Sequence, residues 1–276
     1  MTSSTPPEWA SDRREAMQAV STGNRAVLMP GVDLCPLVGP HNGARNLFTG
    51  LLTLAPGATY LFYARPCTEV LLLLNGQVAA DVEDRRYRLG NFDALTVPAR
   101  LPRRLVNLSA MRSALVHISI AAAAPEQSWV NGRFTPVEQP ASVTGKSGAE
   151  RICRTDPALR YELAPRAHFQ DLFSAERGAQ GICGGYGTFE PGSRLPCHRH
   201  AFDESITIVK GTATCVVEGR RHELSGNATA LVPQGLCHYF INLTLEPMAM
   251  VWVYAGDKPD RIVMDESFCH PEKVKK

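Results

Sequence analysis

The sequence predicts an all-β protein made of two copies of one fold, and three observations carry that expectation. Short apolar and β-branched runs, each broken at glycine or proline, fill most of the chain. Stretches with amphipathic helical spacing are scarce. Landmarks of the N-terminal half recur 135 positions later without a gap. Pro56-Gly57 falls on Pro191-Gly192, Glu69 on Glu204, Gly76 on Gly211, Arg85-Arg86 on Arg220-Arg221, Val97-Pro98 on Val232-Pro233 and Asn107 on Asn242. A constant offset over some 50 residues points to an internal repeat.

Taken in order, the elements read as follows. An arm spans residues 1–25, and its segment Pro7–Val20 is the best candidate for a short helix. The first copy spans 26–125. In it "EVLLLLNGQVAADV" is a strand, a turn at Gly76 and a second strand, and "RYRLGNFDALTVPA" places a turn before a strand that stops at Pro98. "ALVHISIAA" closes the copy. Residues 126–150 are polar and hold Pro, Gly and Ser, the composition of a linker with little structure of its own. The second copy spans 151–276 and repeats the scheme in "SITIVKGTATCVVEG", "HELSGNATALVPQG" and "AMVWVYAG". Many short, evenly spaced strands suggest an antiparallel sandwich or barrel.

Composition excludes several function classes. With 44% hydrophobic and 20% charged residues, neither half reads as disordered. A formal net charge of +2 is too small to argue for nucleic acid or a membrane surface. No basic, apolar leader opens the chain, and no apolar run reaches the roughly 20 residues of a membrane helix. A cytoplasmic protein is expected. Its eight cysteines form no CxxC pair and read as free thiols, most of them small buried hydrophobes.

Chemistry concentrates in the second copy. Strand side chains alternate faces, so His198 and His200 point the same way. Glu204 follows a short corner, and His238 arrives from a later strand. Three imidazoles and a carboxylate suit one divalent first-row transition metal such as Fe, Mn, Ni or Zn. Cys197 and Cys237 flank ligands but face the other way, which favours packing. Arg194 shares the parity of His198 and is the candidate substrate-orienting residue. Four residues of strand span roughly 13 Å, however, which places it toward the rim. Phe240, Trp252 and Tyr254 are either pocket wall or aromatic core.

The spacing Gly192-x5-His198-x-His200-x3-Glu204-x6-Gly211, with Pro233-x-Gly235-x2-His238-x3-Asn242, resembles the two signature motifs of the cupin superfamily. The glycine expected before Pro233 comes one residue early, as Gly226. The resemblance implies two jelly-roll β-barrels in one chain, a bicupin, with the residues matching His198, His200, Glu204 and His238 as metal ligands. The first copy has Tyr63, Arg65, Glu69 and Arg103 at those positions. Arginine cannot coordinate a cation. Glu69 is therefore expected to pair with Arg65 or Arg103, and Arg100 in the place of Gly235 implies a different turn. A pocket with Tyr63, Arg65 and Arg103 that takes an anion stays open. The layout also resembles the (S)-ureidoglycine aminohydrolases, whose motif runs Glu-x-His-x3-His with a Gln as last ligand, an order this chain lacks. Quercetinase- and oxalate-decarboxylase-type bicupins share its ligand set, although the latter generally keep both sites.

The expectation for function is a metal-dependent enzyme on a small, polar, carboxylate-bearing metabolite, with dioxygenase chemistry preferred. Two alternatives remain. One is non-oxidative hydrolase, lyase or isomerase chemistry, and the other is a small-molecule-binding cupin without catalysis. Exposed sheet edges are expected to be covered by the other barrel of the same chain, and then by a second copy as a homodimer.

Overall fold

The structure, a computed structural model, describes residues 12–156 and 159–270. Its strands form four sheets of seven, six, eight and five strands. The eight- and six-stranded sheets hold the first copy, and the seven- and five-stranded sheets hold the second. Helix among the described residues comes only in short pieces, among them the 3-10 turns Pro40–Asn42 and Ala175–Arg177 and the four-residue helix Glu266–Cys269.

The expected N-terminal helix is not present where the chain is described. Ala16–Gln18 is a strand, and the part of Pro7–Val20 before residue 12 lies outside the described residues. The cause is tertiary. Ala16, Met17 and Gln18 pair with Leu231, Ala230 and Thr229, so the arm satisfies the backbone groups of an edge strand in the other half. Arg151–Cys153 returns the exchange by pairing with Ala94–Val97 of the first half. Ala16 and Arg151 are themselves 135 positions apart, as are their partners Thr96 and Leu231. The repeat thus runs through nearly the whole chain, and each copy lends its first strand to the other. Between the copies, Ser128–Trp129 and Val137–Glu138 add to the six-stranded sheet and Gly145–Lys146 to the eight-stranded one.

Three apolar cores follow from strand alternation. Leu71 and Leu73 face the interior of the first half with Tyr87, Val97 and Val116. Val70, Leu72 and Leu74 of the same strand face the other way, into a core shared with Leu172, Tyr186, Leu231 and Val251 of the second half. Burial on both faces is why "VLLLL" shows no alternation. In the second half, Ile206 and Ile208 enter the interior. The alternate residues Ser205 and Thr207 instead meet Thr49 and His117 across the seam between halves.

The cysteine expectation needs correction. Cys197 and Cys269 form a disulfide, and the other six are free thiols. Packing around Cys197 is as expected, but its partner lies 72 positions away in the C-terminal tail, a separation that local spacing does not encode. The turn at Arg100 is also not different. Arg100 and Gly235 both adopt left-handed backbone, with φ of 65° and 86°. Both donate to the matched residue of the preceding strand end, Arg100 N to Arg65 O at 2.7 Å and Gly235 N to His200 O at 3.0 Å. A non-glycine residue there costs about 1–2 kcal/mol, which the rest of the fold offsets.

Candidate metal centre

His198 and His238 face each other across the ladder that joins strands His198–Arg199 and His238–Ile241. Glu204 opens the strand Glu204–Lys210 between Val232 and Tyr254. His200 lies in the corner between them, pinned by the bond from Gly235. One ligand atom from each of these four residues falls within 4.8 Å of the other three, and all four side chains are buried. They form one metal-binding group in the C-terminal half.

The rings are prepared for a cation. His198 Nδ1 lies 2.7 Å from Pro196 O, His238 Nδ1 lies 3.0 Å from Leu236 O, and His200 Nδ1 reaches Asp260 O. A carbonyl can only accept, so each Nδ1 donates, and the lone pair of a neutral ring is left on Nε2. Two of these Nε2 atoms converge on the carboxylate, with Glu204 Oε2 at 2.9 Å from His238 Nε2 and 3.2 Å from His200 Nε2. His200 Nε2 is buried and has no hydrogen-bond partner of adequate geometry. A divalent cation satisfies that atom and neutralises the carboxylate at once. Burial drives the His198 pKa well below its ordinary value, and His238 and His200 add to the fall. Burial alone would raise the Glu204 carboxyl, but His200 and His238 outweigh it and hold it far below the usual range. At neutral pH His198 is therefore neutral and Glu204 ionised, the forms that bind a metal.

The matched site in the first half is closed by charge. Glu69 accepts from Arg65 Nε at 2.6 Å, Arg103 Nε at 2.8 Å and the Tyr63 hydroxyl at 2.8 Å. The guanidinium carbons lie 5.1 and 4.9 Å from the centre of the Tyr63 ring. All four residues are buried. Two guanidinium charges and one carboxylate sum to +1, the same as a divalent ion beside Glu204. Glu69 thus pairs with both candidate arginines.

Arg194 lies elsewhere than at the four ligands. Its guanidinium bonds Glu266 at 2.6 Å and stacks 4.2 Å over the Tyr239 ring, with side chains 39% and 53% exposed in the ion pair. Asn242 holds a turn, donating to Phe189 O and Glu246 O and accepting from Thr244. Phe240 belongs to the core. Trp252 and Tyr254 do line a pocket, and with them stand Asp260 and Arg261 from the tail. Neither tail residue was singled out by sequence. They follow the last repeated strand, where periodicity and the internal copy offer no signal.

The cupin family model, "Cupin domain", matches residues 185–254. Among solved structures, an oxalate decarboxylase studied for its substrate binding mode and reaction specificity matches with a TM-score of 0.71. It is 16% identical, over 94% of this chain and 82% of that one. A Lactobacillus farciminis oxalate decarboxylase in complex with formate matches at 0.70 and 14%, over 91% and 88%. A Bacillus subtilis oxalate decarboxylase matches at 0.71 and 16%, over 99% and 87%. Endoribonuclease YbeY of Myxococcus xanthus (strain DK1622) is 44% identical over 45 residues only, which is 16% of this chain and 15% of that protein. The cupin match covers residues 185–254 of the second half, and the likeness to the solved structures is one of fold, a two-copy all-β fold over nearly the whole chain. The dioxygenase preference gains nothing from these neighbours, which are decarboxylases, and the non-oxidative alternative stands nearer.

Proposed function

We propose that this chain is a metal-dependent enzyme of redox-neutral, lyase-type chemistry on a small carboxylate-bearing metabolite. The observation that carries the reading is the pre-oriented His198, His200, Glu204 and His238 set in a fold shared with oxalate decarboxylases. When bound there, a divalent ion supplies a Lewis acid for a carboxylate or carbonyl oxygen. The chain's own part is to hold the three rings by their Nδ1 bonds, to keep Glu204 ionised and to bury the site from water. The first half, with its ion cluster in place of ligands, serves as scaffold. Catalysis belongs to the second, and the division at 126–150 separates the two roles.

The test is elemental analysis of purified protein, followed by incubation of the metal-loaded form with a panel of small carboxylates, with and without O2. Carbon dioxide release, or another redox-neutral conversion, at about one ion per chain is expected. It should vanish in the paired change His200→Ala with His238→Ala. Consumption of O2 in step with substrate would instead establish an oxygenase.

A further inference from the structure

Beside the metal-binding group lies a pocket of about 110 Å³, walled by Tyr161, Leu163, Phe169, Trp252, Tyr254 and Arg261 among others. It adjoins the ligand set through shared neighbours. The Tyr254 ring packs on His200 with centroids 4.5 Å apart, and Asp260 O, from the same tail segment as Arg261, accepts from His200 Nδ1. The tail is held over this end of the half by the pairing of Ile262–Val263 with His198 and Arg199 and by the Cys197–Cys269 disulfide.

We propose that this pocket selects a monocarboxylate with an apolar body, and that Arg261 is the residue that grips its carboxylate. Two residues of its lining carry a buried donor without an acceptor, Arg261 at Nε and Trp252 at Nε1, while the Arg261 side chain also bonds Tyr254. Buried N–H groups in native proteins almost always have partners, so a pair of vacant donors on one pocket marks the place of an acceptor. Arg261 stays protonated at any working pH, so the fitting acceptor is an anion.

Apart from Asp260, the remaining wall is mostly apolar and aromatic. Tyr161 commits its hydroxyl to Asp171 at 2.8 Å and so presents only its ring. Phe169 lies under the Arg261 guanidinium, 5.9 Å from ring centre to carbon. At about 110 Å³ this pocket is smaller than the roughly 150 Å³ apolar cavity that takes a whole benzene molecule, so it suits a short branched chain or part of one small ring. With Arg261 and Trp252 taken up by the first carboxylate, a dicarboxylate such as oxalate would press its second charge on aromatic rings and the acidic Asp260. The inference rests on the proposed metal centre only for what happens after binding.

The experiment is titration calorimetry on the full chain, stripped of metal by chelator and again after reloading with Zn(II), with benzoate and oxalate as probes. Benzoate should bind both forms, and the metal-free form at least about tenfold tighter than oxalate does. Arg261→Ala should weaken benzoate at least about tenfold, the scale of a lost charged hydrogen bond, and Arg261→Lys should restore part of it. Leu163→Trp, which fills the pocket, should abolish binding while metal content stays intact, and it carries the test if Arg261→Ala does not fold. Oxalate binding the metal-free form as tightly as benzoate does, or unchanged benzoate affinity in Arg261→Ala, overturns the proposal. Benzoate binding as expected, with no carboxylate converted by the loaded protein, overturns the proposed function and leaves this one standing.

Discussion

Glu69 and Glu204 stand at matched positions, and each is a buried carboxylate that needs compensating charge. Glu69 finds it in Arg65 and Arg103. Glu204 has three imidazoles, which offer lone pairs and so call for a cation between them. Removing one member of a buried ion cluster leaves the others uncompensated, at about 3–5 kcal/mol. Glu69→Ala should therefore destabilise the fold by that amount in urea denaturation, without changing metal content. Glu204→Ala should do the reverse in elemental analysis, costing the ion. A Glu69→Ala protein as stable as the parent would show that the cluster contributes no net stability. Residue-scale reading was strong where spacing speaks, at His198, His200, Glu204 and His238. It does not reach the ion pair of Arg194 with Glu266, because strand parity says nothing about a salt bridge to a tail that folds back.

At the scale of elements, the tail from Pro259 to Cys269 performs several tasks. It adds a strand beside His198 and Arg199, presents Asp260 O to His200 and places Arg261 in the pocket wall. The Cys197–Cys269 disulfide closes a loop of 72 residues, worth up to about 4 kcal/mol on the chain-entropy account. The paired change Cys197→Ser with Cys269→Ser should lower stability by about 2–4 kcal/mol. It should also weaken metal retention about tenfold in a chelator competition, because the carbonyl that orients His200 is freed. Retention equal to the parent's would mean that the strand pairing alone positions Asp260. The N-terminal arm is the other element whose role lies far from its place in sequence. Arg13 bonds both oxygens of Asp203, at 2.7 and 2.5 Å, and Asp203 also accepts from Arg45 N and Gln234 N. Deletion of residues 1–18 should expose the edge strand Thr229–Val232 and promote association, visible as a raised mass in light scattering.

The whole molecule is held by the seam between its halves. That seam combines the third apolar core with a short polar line, Thr49 to Ser205 at 2.9 Å and His117 to Thr207 at 3.2 Å. Burial lowers the His117 pKa from 6.5 to about 4. The unfolded chain then binds more protons than the native one between those values, so stability rises with pH across the window and falls on acidification through it. The full effect is about 3 kcal/mol, present above pH 6.5 and gone by pH 4. Denaturation midpoints recorded from pH 7 to pH 4 should show the loss, and His117→Gln should flatten that part of the curve. An unchanged slope in the variant would place the acid sensitivity elsewhere.

By itself the sequence determined the repeat, the all-β class, the convergence of His198, His200, Glu204 and His238, and the arginines that take their places in the first copy. All of these rest on residue type at short, regular spacing, which alternation and turn chemistry translate directly into geometry. Tertiary structure alone decided the exchanged first strands, the disulfide, the engagement of Arg194 by Glu266 and the arrival of Arg261 at the pocket. Each of these joins segments distant in the chain. What selects such pairings is the need to cover sheet edges and bury both faces of a strand, and that need exists only once the sheets have formed.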